Sequence, residues 1–246
     1  MKNAVQIIYE DDVMIIVNKP SDLLTIPDRF DSSKPNLYHI LSNLYNEKIY
    51  VVHRIDRETS GILCFARTEE AHRHLSQQFE ERSVEKVYWA LVDGKPNPPE
   101  GLIDKPIGAH PTLAGKMTIL RNGKSAVTTY RALEVFKSFT LIEARIQTGR
   151  THQIRVHLKS IGHPLAVDAL YGRRNAFFLS EVKLRQYHTG KYQEEERPLM
   201  SRNTLHAQQL TLTHPTTGVR LSFEAPLPKD FQAVLQQLRK WGSPST

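Results

Sequence analysis

The sequence predicts an α+β fold in which a mixed, mostly antiparallel central β-sheet is flanked by helices. Short apolar runs of strand type recur along the chain, amphipathic segments lie between them, and a turn joins two alternating runs near the C-terminus. With 246 residues, the chain is long enough to bury a core of its own. Because we find no internal repeat and no long linker, we predict a single domain over residues 1–246.

The first predicted elements alternate between strand and helix. Residues 13–17 form a continuous apolar run typical of a buried strand, and residues 37–45 carry apolar side chains at helical spacing. A second buried strand is predicted at residues 62–66. Residues 69–82 predict an amphipathic helix with the preceding threonine as its N-cap. Residues 84–92 then alternate as a longer strand.

The middle of the chain predicts two more strands and one well-delimited helix. Residues 93–123 are rich in Gly and Pro, which indicates loops or short strands. Strands are predicted at residues 126–135 and 139–146. Residues 151–161 predict a helix with Thr151 as N-cap and a glycine directly after the last turn.

The C-terminal part begins with a segment of mixed charge. Residues 173–203 contain one compact apolar piece among many charged residues, so we predict a surface insert. Residues 205–228 return to strand, turn and strand, which predicts a hairpin. The last predicted helix covers residues 229–241.

The charge balance favours a polyanionic partner. The chain has 33 basic and 26 acidic residues, for a formal net charge of +7. Charge alone leaves partners other than nucleic acid equally open. The lone Cys64 excludes an internal disulfide and a Cys-rich zinc site. No segment has the pattern of a secretory signal or a membrane span, so we expect a soluble cytoplasmic protein.

One polar segment lies between two apolar runs, at residues 53–61 (HRIDRETSG). Its last three residues are a turn signal, so the segment predicts a loop anchored to the core with Asp56 in the middle. Such an aspartate can cap a turn or pair with a neighbour such as Arg57. It can also supply a carboxylate for catalysis, because an aspartate is ordinarily ionised at neutral pH.

A second polar segment, residues 149–158 (GRTHQIRVHL), covers the start of the predicted helix 151–161. Backbone N–H groups and the helix dipole favour anions at such a position, next to Arg150. Arg150 and Arg155 can also be solvated charges at the start of a helix.

Both segments resemble motifs of the RluA-type pseudouridine synthases. The family pattern His-Arg-Leu-Asp, two variable residues and Thr-Ser-Gly differs from residues 53–61 only at Ile55. Further similarity is found at residues 18–20, at Lys86 and Tyr88, and near the C-terminus. The resemblance spans nearly the whole chain from about residue 5. We therefore expect a catalytic domain without the S4-type RNA-binding domain that precedes it in many relatives.

The resemblance implies an RNA pseudouridine synthase that isomerises specific uridines in structured ribosomal or transfer RNA. It implies the pseudouridine synthase fold, with a central RNA-binding cleft on which Asp56, Tyr88 and Arg150 converge. Asp56 is the implied nucleophile or base, and the target uridine is turned out of its stack. Tyr88 stacks on the uracil or assists proton transfer at C5. Arg150 pairs with the catalytic carboxylate.

The resemblance also implies residues that hold the RNA. Arg54 is the first candidate, either to hold the RNA backbone or to fill the gap left by the flipped base. Lys19, Lys86 and Arg155 could add contacts with phosphate or carboxylate groups. The implied partner is RNA, with no DNA, no membrane, no metal and no cofactor. We expect a monomer.

Two other functions are compatible with parts of the sequence. A noncatalytic RNA-binding module of the same fold would have no need of Asp56, so the presence of this carboxylate favours the enzyme. A metal-dependent nuclease or phosphatase would need clustered ligands. His152 and His157 are five positions apart and do not share a helix face, and we therefore predict no metal site.

Overall fold

The computed structural model describes residues 5–183 and 196–242. Within these residues the strands are β1 (Gln6–Glu10), β2 (Met14–Lys19), β3 (Tyr50–Val51), β4 (Ser60–Ala66), β5 (Glu85–Asp93), β6 (Glu100–Asp104), β7 (Ile107–Ala109), β8 (Met117–Ile119), β9 (Val127–Val135), β10 (Phe139–Ile146), β11 (Leu205–Thr213) and β12 (Arg220–Glu224). The helices are α1 (Leu37–Tyr45), α2 (Glu69–Glu80), α3 (Gln153–Ser160), α4 (Ser180–Lys183) and α5 (Lys229–Trp241).

The described residues form two compact units. The first contains the described parts of Met1–Tyr88 and His206–Pro226, and the second those of Trp89–Leu205 and Leu227–Thr246. The sequence-based prediction of one domain over residues 1–246 stays a prediction.

The first unit is built on a sheet in which β1, β2, β4 and β11 lie in that order, with β3 also paired to β4 and β12 to β11. Most pairs are antiparallel, but β4 and β11 run parallel, with Ser60 beside His206 and Gly61 beside Ala207. Every residue of β4 is buried. The antiparallel pairing of β2 along β4 ends with Lys19 opposite Gly61. The loop that follows β2 and the loop that precedes β4 therefore lie at the same end of the sheet.

The second unit contains an antiparallel sheet in which β10, β9 and β6 are neighbours, and a separate β7–β8 hairpin. Helix α5 presents Phe231, Val234, Leu235 and Leu238 to the core, which agrees with their helical spacing. Phe139 and Phe177 pack in the same core with ring centroids 5.1 Å apart.

The α+β class with mixed, mostly antiparallel pairing is confirmed. Helix α1 has the predicted bounds, and Thr68 caps α2 by accepting a hydrogen bond from the backbone N–H of Ala71. Two details were wrong or missing. Helix α3 begins after His152, whose left-handed backbone (φ 56°) replaces the predicted Thr151 cap, and strand β1 was not predicted.

The segment predicted as a surface insert, residues 173–203, is described in part. Its residues 184–195 lie outside the described residues. On either side of them, Phe177 and Met200 are buried. The backbone N–H of Phe177 donates to the carbonyl of Met200 at 2.7 Å, and that of Leu199 donates to the carbonyl of Phe177 at 2.8 Å. Arg202 makes a two-point ion pair with Asp230, with distances of 2.7 and 2.8 Å. The ends of the segment are thus attached to the core of the second unit.

No helix in the described ranges, 5–183 and 196–242, has the length and apolar character needed to cross a bilayer.

We predict that Gly61→Ala strongly destabilises the protein. Gly61 has φ 118°, and a Cβ atom there would lie 2.2 Å from the carbonyl oxygen of Ala207 in the neighbouring strand. Backbone strain and steric overlap together should lower the unfolding free energy by about 2–4 kcal/mol. Thermal unfolding measures the effect. Gly149→Ala is the control, since a Cβ at Gly149 meets no atom within 4 Å; equal melting temperatures for both variants would contradict the prediction.

Candidate active site

Asp56 lies on the loop between β3 and β4, where the sequence predicts it. Its side chain is half-buried, whereas the preceding Ile55 is buried and the flanking Arg54 and Arg57 are exposed. The backbone N–H of Thr59 donates to the carbonyl of Asp56 at 3.1 Å, which closes a tight turn. The turn presents the Asp56 carboxylate at the end of a fully buried strand.

Lys19 fixes this loop from inside the protein. Its side chain is fully buried, and its ammonium donates to the carbonyls of Pro20 and Leu23 at 2.8 Å and to that of Arg57 at 2.9 Å. A lysine ammonium has three hydrogens, so these bonds use all of them. The loop after β2 is thereby joined to the residue that follows Asp56. The hydroxyl of Thr25 adds a second link by donating to the Ile55 carbonyl at 3.2 Å.

A buried histidine supports the loop from the β11 side. The Nε2–H of His206 donates to the carbonyl of Ala225 at 3.1 Å, and its Nδ1 forms a hydrogen bond with the Ser60 hydroxyl at 2.9 Å. Because a carbonyl oxygen can only accept, Nε2 carries a hydrogen, and the two contacts fix the orientation of the ring. The close pairing of Gly61 with Ala207 lies directly beside them. Ser60 and Gly61, the last two residues of the segment 53–61, therefore hold β4 against β11.

His53 connects the start of the loop to α2. Its Nε2 accepts the backbone N–H of Cys64 at 3.0 Å, and its ring stacks on Phe79 with centroids 4.5 Å apart. Burial, together with the positive charge of Lys86, lowers the pKa of His53 to about 3. The ring is therefore neutral at physiological pH and acts as an acceptor in this contact.

Tyr88 and Lys86 project from the same face of β5, as their spacing predicts. Both are 8% exposed. Burial, and then the negative charge of Asp56, raise the pKa of the Tyr88 hydroxyl above its usual range. Burial and the nearby Arg82 lower the pKa of Lys86, whose ammonium lies 5.5 Å from the centre of the Phe79 ring. Asp56 and Tyr88 thus belong to one unit and interact electrostatically.

Arg150 lies in the second unit, just before α3. Its Nε donates to the carbonyl of Ser125 at 3.0 Å, and its backbone N–H donates to the Oε1 of Gln153 at the same distance. Gln153 is buried and also accepts the Thr148 hydroxyl at 2.7 Å. The Nε contact fixes the guanidinium next to Ser125. The predicted pairing of Arg150 with Asp56 stays a prediction.

The other polar residues of α3 are buried. Arg155 makes a two-point ion pair with Asp168, at 2.7 and 2.9 Å, and Asp168 also accepts the backbone N–H groups of Leu170 and Tyr171. His157 has partners on both ring nitrogens, and burial lowers its pKa. The polar side chains of residues 149–158 therefore mostly form buried hydrogen bonds and ion pairs that hold α3 in place.

The predicted RNA-binding residues separate into exposed and buried groups. Arg54 is exposed, and no hydrogen bond or ion pair of its side chain occurs among residues 5–183 and 196–242. Lys19 and Arg155 are at most 4% exposed and hold protein groups. Their burial does not support the expectation that they contact RNA, and we describe them as structural residues. Lys86 is mostly buried beside Tyr88.

Sequence reasoning missed the supporting roles of Gln153, Asp168 and His206. A signal for one of them was present, because Gln153 and His157 are four residues apart and share a helix face beside apolar positions. In the structure both reach Thr128, through Gln153 Nε2 at 3.0 Å and His157 Nδ1 at 2.9 Å.

Within the described part of the chain, no group of three or more His, Cys, Asp or Glu residues could hold a metal ion.

Comparison with known proteins gives a consistent result. Residues 13–160 match the family model described as RNA pseudouridylate synthase. The chain is 41% identical over 239 residues to the ribosomal large subunit pseudouridine synthase D of Nitrosomonas europaea, covering 95% of this chain and 65% of that protein. It is 40% identical to the protein of the same name from Pseudomonas aeruginosa, covering 96% of this chain and 72% of that protein. The chain thus spans about two thirds of the length of these relatives.

Solved structures of the same family are also similar. The human protein named RNA pseudouridylate synthase domain containing 4 is 28% identical, with a TM-score of 0.71 over 95% of this chain and 93% of that one. The human RNA pseudouridylate synthase domain containing 1 is 25% identical, with a TM-score of 0.67 over the full length of both chains. By sequence, by fold and by the motif around Asp56, this chain belongs to the RNA pseudouridylate synthase family.

Proposed function

We propose that this protein isomerises uridine to pseudouridine in the RNA of the large ribosomal subunit, with Asp56 as the catalytic residue. The bond between C1′ of the ribose and N1 of uracil breaks, and a bond between C1′ and C5 forms. The C5 hydrogen is lost to solvent and N1 gains a proton, so that substrate and product are isomers. The carboxylate serves as nucleophile or base, and no metal or cofactor takes part.

The observation that carries the proposal is the fixed position of Asp56 within a family motif. A catalytic carboxylate has to be held within a fraction of an ångström of its productive geometry. The three carbonyls on the buried Lys19 and the turn closed by Thr59 provide this support. The Asp56 side chain itself stays partly exposed, as a group that meets a substrate has to be.

Tyr88 is proposed as the platform on which the uracil stacks. Its position on β5 and its electrostatic interaction with Asp56 support a role beside the reacting base. Because burial and the carboxylate both disfavour the phenolate, the hydroxyl stays protonated and can donate a hydrogen bond. Stacking on an aromatic ring offsets part of the cost of turning the nucleotide out of its stack.

Arg54 is proposed to contact the RNA backbone, since its guanidinium is exposed two residues before Asp56. Arg150 is kept as a candidate catalytic residue because its half-buried guanidinium lies just before the N-terminus of α3, where an anion is favoured. The ribosomal substrate is suggested by the names of the relatives. The proposal includes a monomer that acts in the cytoplasm, and residues 173–203 as an insert that tunes the choice of substrate.

We predict that Asp56→Asn lowers the rate of pseudouridine formation by at least about 1,000-fold, because the amide is neither a nucleophile nor a base. The assay follows tritium release from undermodified ribosomal RNA labelled at C5 of uridine, with a chelator present. Asp12→Asn is the matched control, since Asp12 is an exposed aspartate elsewhere in the same unit. An active Asp56→Asn protein would refute the role of the carboxylate. A folded wild-type protein that binds the RNA and releases no tritium would indicate a noncatalytic binding module.

We predict that the Tyr88 hydroxyl remains protonated up to at least about pH 10, the ordinary midpoint for tyrosine, because burial and the Asp56 charge both raise its pKa. The difference in tyrosinate absorbance between wild type and Tyr88→Phe isolates this group. The difference should stay near zero across that range. A contribution that appears at lower pH would mean that the phenolate is available for proton abstraction.

We predict that substitution of two arginines of the predicted RNA-binding set affects different properties, RNA binding for one and stability for the other. Arg54→Ala should weaken RNA binding and reduce the slope of log affinity against log salt by about 0.7–0.9, as expected for one lost phosphate contact. Arg155→Ala should instead lower the unfolding free energy by about 3–5 kcal/mol, because it leaves Asp168 buried without its cation. Filter binding at several salt concentrations and chemical unfolding measure the two effects. Arg73→Ala, which removes an exposed arginine of α2, is the control for net charge.

A further inference from the structure

Phe30 is the most exposed large apolar side chain in the described part of the protein. It is 92% exposed, and the next most exposed apolar side chains, Leu44 and Leu102, are each 62% exposed. Phe30 lies on the loop between β2 and α1, directly after the exposed Arg29. Removing a phenylalanine ring from water is favourable, so a partner that covers Phe30 on binding would gain free energy.

The loop that carries Phe30 is held in a defined conformation. Asp28 Oδ1 accepts the backbone N–H groups of Phe30 and Asp31 at 3.0 and 3.1 Å. The ammonium of Lys34 lies 3.3 Å from Asp28 and 3.9 Å from Asp31. Asp31 also accepts the backbone N–H of Ser33 at 3.1 Å. An aromatic ring presented on an ordered loop loses little conformational freedom when it binds.

The base of this loop is tied to the Asp56 loop within the first unit. Leu24 and Asn36 form a β-bridge that closes it, and the Thr25 hydroxyl donates to Ile55, the neighbour of Asp56. Phe30 is five positions after Thr25 in the sequence, so the two Cα atoms are at most about 18 Å apart. At a rise of about 3.4 Å per stacked base, Phe30 therefore lies within about five stacked bases of Thr25, whose hydroxyl contacts the neighbour of Asp56.

We propose that Phe30 stacks on an unpaired RNA base near the target uridine and so helps to select the substrate. This inference rests on the proposed function. Every base has a π-face, and proteins that bind single-stranded RNA combine aromatic side chains for stacking with positive charge for the backbone. Phe30 directly follows the exposed Arg29. Between Leu24 and Asn36 the charges of the loop balance, with Arg29 and Lys34 against Asp28 and Asp31, so this part of the loop carries no net negative charge that would repel phosphates.

A protein partner fits this loop less well than a base does. A stable protein interface buries about 800 Å² on each side, with an apolar centre. Phe30 is a single ring flanked by Arg29 and Asp31, and both of these neighbours are charged. One base covers one ring, so the size of the apolar feature matches a nucleotide.

The test compares Phe30→Ala and Phe30→Trp with wild type in the tritium-release assay on an RNA fragment that contains the target. We expect Phe30→Ala to raise KM roughly 10-fold with little change in kcat, and Phe30→Trp to retain the wild-type KM, since indole stacks at least as well as phenyl. Leu44→Ala is the matched control, because it removes another exposed apolar side chain of the same unit. Equal KM values for wild type and Phe30→Ala would overturn the inference.

A second measurement identifies the base. RNA fragments with one abasic site at each of the five positions on either side of the target are assayed with wild type and with Phe30→Ala. At the stacking position, wild type should lose roughly 10-fold in kcat/KM, and Phe30→Ala should lose nothing further. Additive losses at every position would overturn the inference, as would a dimer in sedimentation that Phe30→Ala abolishes.

The two proposals fail separately. If wild type releases tritium and the Phe30 variants behave like wild type, only the stacking inference fails. If wild type releases none, the proposed function fails, and the RNA affinities of the same variants still decide whether Phe30 binds a base.

Discussion

The ammonium group of Lys19 lies inside the first unit, where an unpaired charge would cost several kcal/mol, so the chain has to bring carbonyl oxygens to it. These carbonyls come from Pro20 and Leu23 on one side and from Arg57 on the other. Two loops that are distant in sequence are therefore joined at a single atom, Nζ of Lys19. The position of Asp56 depends on this contact, because the carboxylate lies one residue before a carbonyl that Lys19 holds.

The opposite side of the Asp56 loop is fixed by close backbone packing. At Gly61, strand β4 approaches Ala207 so closely that a Cβ atom has no room, and Ser60 bonds to the buried His206. Much of the motif at residues 53–61 thus serves the scaffold. Asp56, the proposed catalytic residue, is half-buried and Arg54 is exposed, whereas His53, Ser60 and Gly61 keep the loop in place. A strict motif is the expected result when a carboxylate has to be held rigidly from both sides.

Patterns that depend on local sequence predicted most elements. The spacing in α1, the threonine cap of α2 and the alternation in β5 depend on neighbouring residues, and all three are confirmed. The start of α3 was misplaced because His152 adopts a left-handed conformation that propensity does not favour, while its Nδ1 lies 2.8 Å from the hydroxyl of the distant Tyr171. The burial of Lys19 and Arg155 could not be predicted either. Whether a cation meets phosphate or protein carbonyls is decided by tertiary contacts that the local pattern does not contain.

Because some basic side chains are buried against protein groups, the formal net charge does not count the cations available to RNA. Arg155 is neutralised by Asp168 in the core, so it adds nothing to the field outside the protein, and the ammonium of Lys19 is solvated by carbonyls rather than by water. The cations that RNA can meet are the exposed ones. In the first unit, Arg54 and Arg29 belong to the two loops that Lys19 and Thr25 connect, one beside Asp56 and one beside Phe30. The positions of these exposed arginines and of the Asp56 carboxylate therefore depend on the buried Lys19. A substitution of Lys19 should change RNA binding and the position of Asp56 together.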